Sequence, residues 1–306
     1  MEYIIGKAGN FILIIIAGYL FKKIGLFKPE DNRTIMKLLM HVTLPAAVIA
    51  SFSSYDRDLR LLAVFFIGLL LNILMLSIGY CSAKKNKPAE KAFNMINFSG
   101  YNIGTFAMPY LQTLLGNTGV IVACLFDAGN AVMCTGMTYA LASMVAGEQT
   151  GGIKQNFFRK LFSSVPFDVY LLMIILYAAD LHFPQGVYTA AAAFGGANAF
   201  LAMFMIGGAF EFCGDSKRIG RVARVLIIRY SVAAAVSCLF YYTLPFSLEI
   251  KRILMIIAFA PVSAMCVIFT DRLNGDTELA GIINSMSILV SLFIMTVLVC
   301  VWGLGI

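Results

Sequence analysis

Asn97-Phe-Ser-Gly-Tyr-Asn-Ile-Gly-Thr-Phe-Ala-Met-Pro109 and Ile256-Ile-Ala-Phe-Ala-Pro261 are the two stretches that decide the fold of this 306-residue chain. Each ends in a proline that lies inside an apolar segment long enough for a membrane helix. A proline within a helix removes a backbone hydrogen bond and clashes with the preceding turn. In a bilayer such a break persists only where protein or a water-filled cavity satisfies the freed groups. The spacing of Pro109 and Pro261, almost half the chain, predicts one broken helix in each half of a duplicated protein.

The composition is that of a polytopic membrane protein. Hydrophobic residues make up 60% of the chain, charged residues only 13%, and the mean hydropathy is +0.86. Soluble domains carry about twice that fraction of charge. A membrane-spanning helix needs about 20 apolar residues. We therefore predict an all-α membrane protein with ten transmembrane helices, at residues 9–27, 33–53, 60–82, 92–114, 118–145, 162–182, 187–210, 221–245, 249–270 and 277–304.

Loop charges predict the orientation, because Lys and Arg beside span ends stay on the cytoplasmic side. With the N-terminus outside, eighteen of the 23 Lys and Arg residues fall on the inner side and five on the outer side. An even number of spans then puts both termini outside a cell (inner) membrane. Two halves with five spans each must insert with opposite topology. We expect a first five-helix repeat over residues 1–146, a cytoplasmic linker over 147–161 and a second, inverted five-helix repeat over 162–306.

Several other functions are excluded by the pattern. The net charge of +7 comes from cations in short loops beside span ends, which indicates contact with membrane lipid and not with nucleic acid. The seven cysteines have no metal-binding spacing. The sequence contains no Walker loop, dinucleotide fingerprint or zinc motif. We expect no enzyme activity, no metal and no cofactor beyond a coupling H⁺ or Na⁺, so gradients would drive any transport.

Four stretches resemble one known family of transporters. They are Gly18-Tyr-Leu-Phe-Lys-Lys-Ile-Gly-Leu-Phe27, Val42-Thr-Leu-Pro-Ala-Ala-Val-Ile-Ala-Ser51, Asn102-Ile-Gly-Thr-Phe-Ala-Met-Pro109 and Ala199-Phe-Leu-Ala-Met-Phe-Met-Ile-Gly-Gly208. Through them the chain resembles the auxin efflux carrier family, which includes bacterial organic-acid permeases and the plant PIN-FORMED carriers. The resemblance implies two inverted five-helix repeats, with broken helices 4 and 9 that cross near the midplane. It also implies carboxylate substrates, such as malate, malonate or indole-acetate, and a homodimer through scaffold helices.

The crossing of the broken helices is the expected substrate site, with Pro109 and Pro261 building it. The resemblance places a substrate-binding asparagine seven residues before the first proline, which matches Asn102. Its amide can donate to a carboxylate, or it can simply cap the half-helix. Leu254 stands at the equivalent position before Pro261, so the two halves would not contact the substrate symmetrically. Gly104 allows close approach of the backbone to a ligand, or of a neighbouring helix.

Polar residues deep in other spans are further candidates. A carboxylate at depth is costly enough to suggest a function, and Asn130 shares a helix face with Asp127. Together they can bind a coupling H⁺ or Na⁺, or they can form a structural hydrogen bond to another helix. Ser51 and Asn198 can line the substrate cavity, or they can cap a helix and bond between helices. Arg229 can neutralise an acidic substrate, but we expect its side chain to snorkel to the inner surface.

The leading hypothesis is thus a secondary active transporter of a small organic anion that works by alternating access. A Na⁺-coupled symporter of the bile-acid type shares the crossed broken helices and is a second hypothesis. A membrane sensor or scaffold that keeps the fold but transports nothing is a third. Apolar packing around Asn102 would favour the third hypothesis over the other two.

Overall fold

The computed structural model describes residues 2–53, 55, 57–148, 157–159, 161–211 and 216–304. Within these ranges every regular element is a helix, and no β-strand occurs. An isolated antiparallel β-bridge joins Tyr101 to Val262. The prediction of an all-helical chain is confirmed. Most of the predicted linker at 147–161 lies outside the described residues.

The described residues of the range 2–146 form seven α-helices and four shorter helical turns. The α-helices are α1 (Glu2–Lys23), α2 (Pro29–Leu38), α3 (Leu44–Ser51), α4 (Ala63–Ser82), α5 (Pro88–Phe98), α6 (Met108–Val132) and α7 (Thr138–Ala146). Shorter helical turns connect or extend them, at Leu39–Thr43, Leu59–Leu62, Ile103–Ala107 and Met133–Met137. The turns at Leu39–Thr43 and Met133–Met137 keep α2 with α3, and α6 with α7, in continuous helical runs.

Helices also fill the second part of the chain. They are α8 (Val165–Ala179), α9 (Gln185–Gly195), α10 (Asn198–Ala209), α11 (Ser216–Thr243), α12 (Leu248–Ala258), α13 (Met265–Arg272) and α14 (Thr277–Trp302). Packing brings α4 against α5 and α6, α11 against α12, and α13 against α14. The short helices α5 and α12 are therefore each held by a long neighbour.

Six helical runs among the described residues are long and apolar enough to cross a membrane by themselves. They are Glu30–Ser51, Leu59–Ser82, Ile103–Ala146, Gln185–Ala209, Arg218–Thr243 and Thr277–Trp302. The run Ile103–Ala146 has 44 residues and bends at Gly116, where φ is 62° and ψ is −147°. It covers the second part of the predicted span 92–114 and the whole of the predicted span 118–145. The predicted span at 249–270 is divided into α12 and α13, of 11 and 8 residues. The chain is a multi-pass membrane protein, and the count of ten remains a prediction.

The first helix break lies before its proline and not at it. After α5 ends, Ser99 has extended backbone, with φ −88° and ψ 170°, and helix resumes at Ile103. Gly100 has a φ of 78°, which a residue with a side chain adopts only at a cost. Pro109 lies in the helix that resumes at Ile103, directly after the wide helical turn Ile103–Ala107, and a local widening of this kind commonly accompanies a proline in a helix. The prediction that helix 4 breaks at Pro109 is therefore wrong.

The second break contains its proline. Helix α12 ends at Ala258, α13 begins at Met265, and Pro261 lies in the non-helical segment between them. A proline here avoids the clash with a preceding turn that it would cause inside a helix. Here the prediction of a break at the proline is confirmed.

Candidate functional site

The two breaks lie against each other. Beside the β-bridge described above, the Asn102 N–H donates to the Pro261 carbonyl at 2.9 Å, and the Ser263 N–H donates to the Gly100 carbonyl at 3.3 Å. We call segments 99–102 and 259–264 together the paired breaks. Their backbone groups, which no longer have helical partners, are satisfied in part by each other. This matters because an unpaired backbone group in a bilayer is costly.

Two buried asparagines hold the first of the paired breaks. Asn72 on α4 accepts from the Gly100 N–H at 2.8 Å. Asn130 on α6 accepts from the Tyr101 N–H at 3.0 Å and donates to the Tyr101 carbonyl at 2.9 Å. The two amides also contact each other, since Asn72 Nδ2 donates to Asn130 Oδ1 at 3.1 Å. The non-helical segment is thus tied to two neighbouring helices.

Side chains of α14 hold the second break. Ser287 Oγ accepts from the Val262 N–H at 3.0 Å, and Asn284 Nδ2 donates to the Val262 carbonyl at 2.7 Å. Ser291 Oγ donates to the Phe259 carbonyl at 2.6 Å. We did not predict these residues as part of the site. The available signal was the spacing of three polar residues at i, i+3 and i+7 in an otherwise apolar helix, which puts them on one face.

Arg229 on α11 contacts both segments of the paired breaks. Its side chain is almost completely buried, at 1% exposure, so the prediction that it snorkels to the surface is wrong. One guanidinium nitrogen donates to the carbonyls of Gly100 (3.0 Å), Ala260 (3.3 Å) and Pro261 (3.4 Å). The other donates to the Phe98 carbonyl.

Among the described residues, Arg229 has an aromatic neighbour and no acidic partner. The guanidinium carbon lies 4.2 Å from the ring centroid of Tyr101, a favourable cation–π geometry. In the part of the chain that the structure describes, the arginines in salt bridges are Arg57, Arg60, Arg218 and Arg221. Arg229 is therefore a buried cation held by carbonyls and a π face.

Asp127 lies next to the first break, 8% exposed on α6. Asn130 Nδ2 donates to its Oδ1 at 2.7 Å, which fits the shared helix face predicted from their spacing. The Tyr170 hydroxyl on α8 donates to Oδ2 at 2.9 Å, and the Gly104 N–H donates to the carboxyl group as well. A Cβ on Gly104 would lie 3.2 Å from both Asp127 Oδ2 and the Tyr170 hydroxyl oxygen. Glycine thus lets the start of the half-helix approach the carboxylate.

Asn102 immediately precedes the half-helix that starts at Ile103 and is 7% exposed. Its Oδ1 accepts from the Thr105 hydroxyl, and its side chain makes no capping bond to the backbone. Within the described residues, the side-chain hydrogen bonds of Asn102 use Oδ1. The amide Nδ2, with two N–H donors, is left available for a ligand.

Ser51 and Asn198 are the remaining predicted residues. Ser51 is buried and its Oγ donates to the Ala47 carbonyl at 2.8 Å, inside its own helix. Asn198 is fully buried, accepts from the Thr43 hydroxyl at 3.3 Å and donates to Gln112 Oε1 at 3.4 Å. Among the described residues, neither side chain bonds to the paired breaks. The bonds of Asn198 fit the interhelical alternative, whereas the bond of Ser51 goes to the carbonyl four residues earlier in its own helix and is not a cap.

The ends of the half-helices carry opposite partial charges. The C-terminal ends of α5 and α12 present carbonyls, which are partially negative, and Arg229 lies there. The N-terminal ends at Ile103 and Met265 are partially positive. Some of their N–H groups already have acceptors, since the Gly104 N–H donates to Asp127 and the Met265 N–H donates to Ser263 Oγ. Helix N-termini are ready-made sites for anions. The paired breaks therefore combine a filled cation site with donors suited to a carboxylate.

One cavity of the described structure lies away from this centre. It has a volume of about 490 Å³ and is lined by Tyr19, Lys22, Lys23, Phe210, Glu211, Glu278 and Ile282. Its walls come from α1, α14 and the segment that follows α10. None of these residues belongs to the paired breaks.

Comparison with known proteins gives two matches. The model of a family described as "Membrane transport protein" matches residues 3–299, nearly the whole chain. An uncharacterized transporter of Methanothermobacter thermautotrophicus is 24% identical over 153 residues. That alignment covers 48% of this chain and 50% of the other protein, so the chain spans about half the length of the curated relative that it matches.

Proposed function

Since this chain belongs to the auxin efflux carrier family of membrane transport proteins, we propose that it is a secondary active transporter of a small organic anion. The substrate class is a mono- or dicarboxylate, malate-like or auxin-like. Transport proceeds by alternating access at the paired breaks. The observation that carries the proposal is the availability of the Asn102 amide beside two helix N-termini, at Ile103 and Met265.

Binding of a carboxylate at this place follows from ordinary electrostatics. Each half-helix N-terminus carries about half a positive elementary charge, and both begin within a few residues of the β-bridge. A carboxylate between them gains the attraction of both partially positive helix ends and the Asn102 Nδ2 donors. Because Asn102 is only 7% exposed, a substrate reaches it after the surrounding helices move. Alternating access supplies that movement.

The proposed architecture has ten crossings in two inverted repeats, residues 1–146 and 162–306. Ten crossings result when the run Ile103–Ala146 is counted as two helices that meet at the Gly116 bend and each broken helix is counted as one. The paired breaks would then relate helices 4 and 9 of opposite repeats. The distribution of Lys and Arg supports a cytoplasmic linker at 147–161 and outer termini in a cell membrane.

Asp127 and Asn130 form the proposed ion-coupling site. The carboxylate bonds to the Gly104 N–H at the start of the half-helix and to Tyr170 on α8. Loading a proton on Asp127 removes one acceptor position and so changes how firmly the half-helix is held. A change of that kind, next to Asn102, is a direct physical link between a coupling ion and the substrate site.

Thermal stabilisation of the purified full chain tests the anion site. A ligand that binds the folded state raises the apparent melting temperature by mass action. We would measure a panel of mono- and dicarboxylates, in Na⁺ or choline and at two pH values, for the wild type and Asn102→Ala. The matched control is Asn94→Ala, since Asn94 lies on α5 but donates to Ser82 Oγ at 3.0 Å.

We expect at least one acid to stabilise the wild type and the control, and to lose its effect in Asn102→Ala. A folded wild type that responds to no acid would contradict the proposed substrate class. Uptake into proteoliposomes then separates a transporter from a sensor, since a sensor binds the acid without moving it.

A further inference from the structure

We propose that the Arg229 guanidinium is a tethered counter-cation, which fills the place at the paired breaks where a Na⁺-coupled transporter would hold a dissociable ion. In many transporters, unwound carbonyls and the C-terminal ends of half-helices coordinate the coupling Na⁺. Here the same kinds of group are occupied by a side chain. The inference rests on the proposed transport function and adds that no Na⁺ is needed at this place.

The geometry is that of a cation cage. Four backbone carbonyls converge on the guanidinium, from Phe98 and Gly100 in one half of the chain and from Ala260 and Pro261 in the other. Phe98 is the last residue of α5, and the other three carbonyls lie two or three residues beyond the ends of α5 and α12. The cage contains oxygens from both halves of the chain. A bound ion that contacts two repeats would have ligands from both halves in the same way.

The charges also balance. Each helix C-terminus carries about half a negative elementary charge, so two such ends amount to about one. One guanidinium supplies one positive charge, which stays attached because an arginine does not lose its proton in proteins. In the low-dielectric interior, leaving these ends unmatched would be costly.

Two other roles of Arg229 fit the contacts less well. A direct anion ligand would turn N–H groups toward the substrate, but the terminal nitrogens of Arg229 donate to carbonyls. A role in packing alone would not require a charge. Yet the side chain is kept at 1% exposure although its Nε has no hydrogen-bond partner among the described residues. Such burial of a charge is expensive and points to an electrostatic role.

The first test uses cations alone, without any organic anion. Arg229→Ala removes the guanidinium and leaves the carbonyl cage, so free guanidinium should refill it. We expect millimolar guanidinium, far below denaturing levels, to raise the melting temperature of Arg229→Ala but not of the wild type. The control is Arg224→Ala, since Arg224 lies on the same helix and donates to the Ser82 carbonyl from an exposed position. Equal responses of all three proteins to guanidinium would overturn the proposal.

The second test measures the carboxylate response in Na⁺ and in choline. We expect the wild type to respond equally in both, and Arg229→Ala to bind at least about tenfold more weakly in choline, because the variant lacks the positive charge that attracts a carboxylate across the low-dielectric interior. Guanidinium or Na⁺ should restore the response of the variant. A wild type that requires Na⁺, or an Arg229→Ala that responds fully in choline, would contradict the counter-cation role.

Conservative variants keep the proposal testable if Arg229→Ala does not fold. Arg229→Lys retains the positive charge, whereas Arg229→Gln retains much of the length without it. We expect the lysine variant to keep its carboxylate response in choline and the glutamine variant to lose it. If the glutamine variant matches the lysine variant, the charge is not what matters and the proposal is wrong. If no variant and no wild type responds to carboxylates, the proposed substrate class fails, and guanidinium stabilisation of Arg229→Gln still decides the counter-cation role.

Discussion

The backbone N–H of Asn102 donates to the carbonyl of Pro261 at 2.9 Å, although the two residues come from opposite halves of the chain. The residue that we propose to bind the substrate, Asn102, is thus directly hydrogen-bonded to the proline of the other half. This contact joins the two breaks directly. Substitution of the residues that hold the paired breaks therefore tests the description of this centre.

Asn72→Ala tests the support of the first break. The substitution leaves the buried Gly100 N–H without the acceptor that it now has at 2.8 Å. An unsatisfied buried donor costs about 1–3 kcal/mol, so we expect a clear fall in the melting temperature of the purified protein. Asn94→Ala, at a half-buried position of α5, is the comparison and should cost less. Equal melting of Asn72→Ala and wild type would show that the amide is dispensable.

Gly104→Ala tests the close approach of the half-helix to Asp127. The new Cβ would lie 3.1 Å from Leu44 Cδ2 and 3.2 Å from Asp127 Oδ2, closer than ordinary contact. We expect a destabilisation of about 1–3 kcal/mol, typical of overpacking, seen as a lower melting temperature. Gly220→Ala is the control, because nothing lies within 4 Å of its Cβ position and alanine favours helix there. A stabilising effect of Gly104→Ala would contradict the description of this contact.

Asp127→Asn tests ion coupling. The variant keeps the size of the side chain but cannot gain or lose a proton. If a proton on Asp127 drives transport, carboxylate uptake into proteoliposomes should depend on a pH gradient in the wild type and not in the variant. Asp168→Asn provides the control, since Asp168 is exposed in the first turn of α8. Uptake by Asp127→Asn that still follows the pH gradient would assign coupling elsewhere.

Tyr170→Phe tests the hydrogen bond that the Tyr170 hydroxyl donates to the same carboxylate. The change removes the hydroxyl that donates to Asp127 Oδ2 at 2.9 Å but keeps the ring. A hydrogen bond to a charged group contributes about 1.5–3 kcal/mol, so we expect a lower melting temperature. The loss should largely disappear when Asp127 is already Asn, which a double-mutant cycle of melting temperatures would measure. Additive effects would show that the two side chains do not interact.

Asp58 gives a pH dependence outside the membrane spans. Its hydrogen bonds to Arg60 hold its pKa below the usual 3.8. A carboxyl group with a lowered folded-state pKa stabilises the fold above its unfolded pKa and loses that contribution as the pH falls through the folded value. We therefore expect the melting-temperature advantage of wild type over Asp58→Asn to shrink below about pH 4. The effect is small, because the pair is exposed to solvent. A constant difference across the acid range would rule out this linkage.

The sequence predicted the elements of the fold better than it predicted the contacts of the site. The break near Pro261 and the pairing of Asp127 with Asn130 follow from local rules, namely proline geometry and i, i+3 spacing. Pro109 misled because the helix accommodates it after the wide turn Ile103–Ala107, and the non-helical segment lies earlier, at Ser99 to Asn102. The backbone conformation at Gly100, with its φ of 78°, shows that the first break lies before its proline. This conformation is known only from the structure.

Arg229 was wrongly predicted for a different reason. Snorkelling is the ordinary fate of an arginine near the end of a span, and nothing local opposes it. Its burial depends on carbonyls of Phe98 and Ala260, which come from segments far away in the chain. Such a cage has no signature in the sequence, because backbone carbonyls are present at every residue. Asn284 and Ser287 were overlooked for the same cause, since their partners are backbone groups of the second break.

The hydrogen bonds between the paired breaks also bear on how the protein is made. While the ribosome has yet to deliver Pro261 and Ser263, the Asn102 N–H and the Gly100 carbonyl lack the partners that they have in the finished molecule. Arg229, which also bonds to Gly100, is delivered before them but after the first half. Until then, these backbone groups of the first half lack their final hydrogen-bond partners, which is costly in the hydrocarbon of the membrane. The centre of the protein is completed only when the last quarter of the chain has been synthesised, so the two halves depend on each other for assembly.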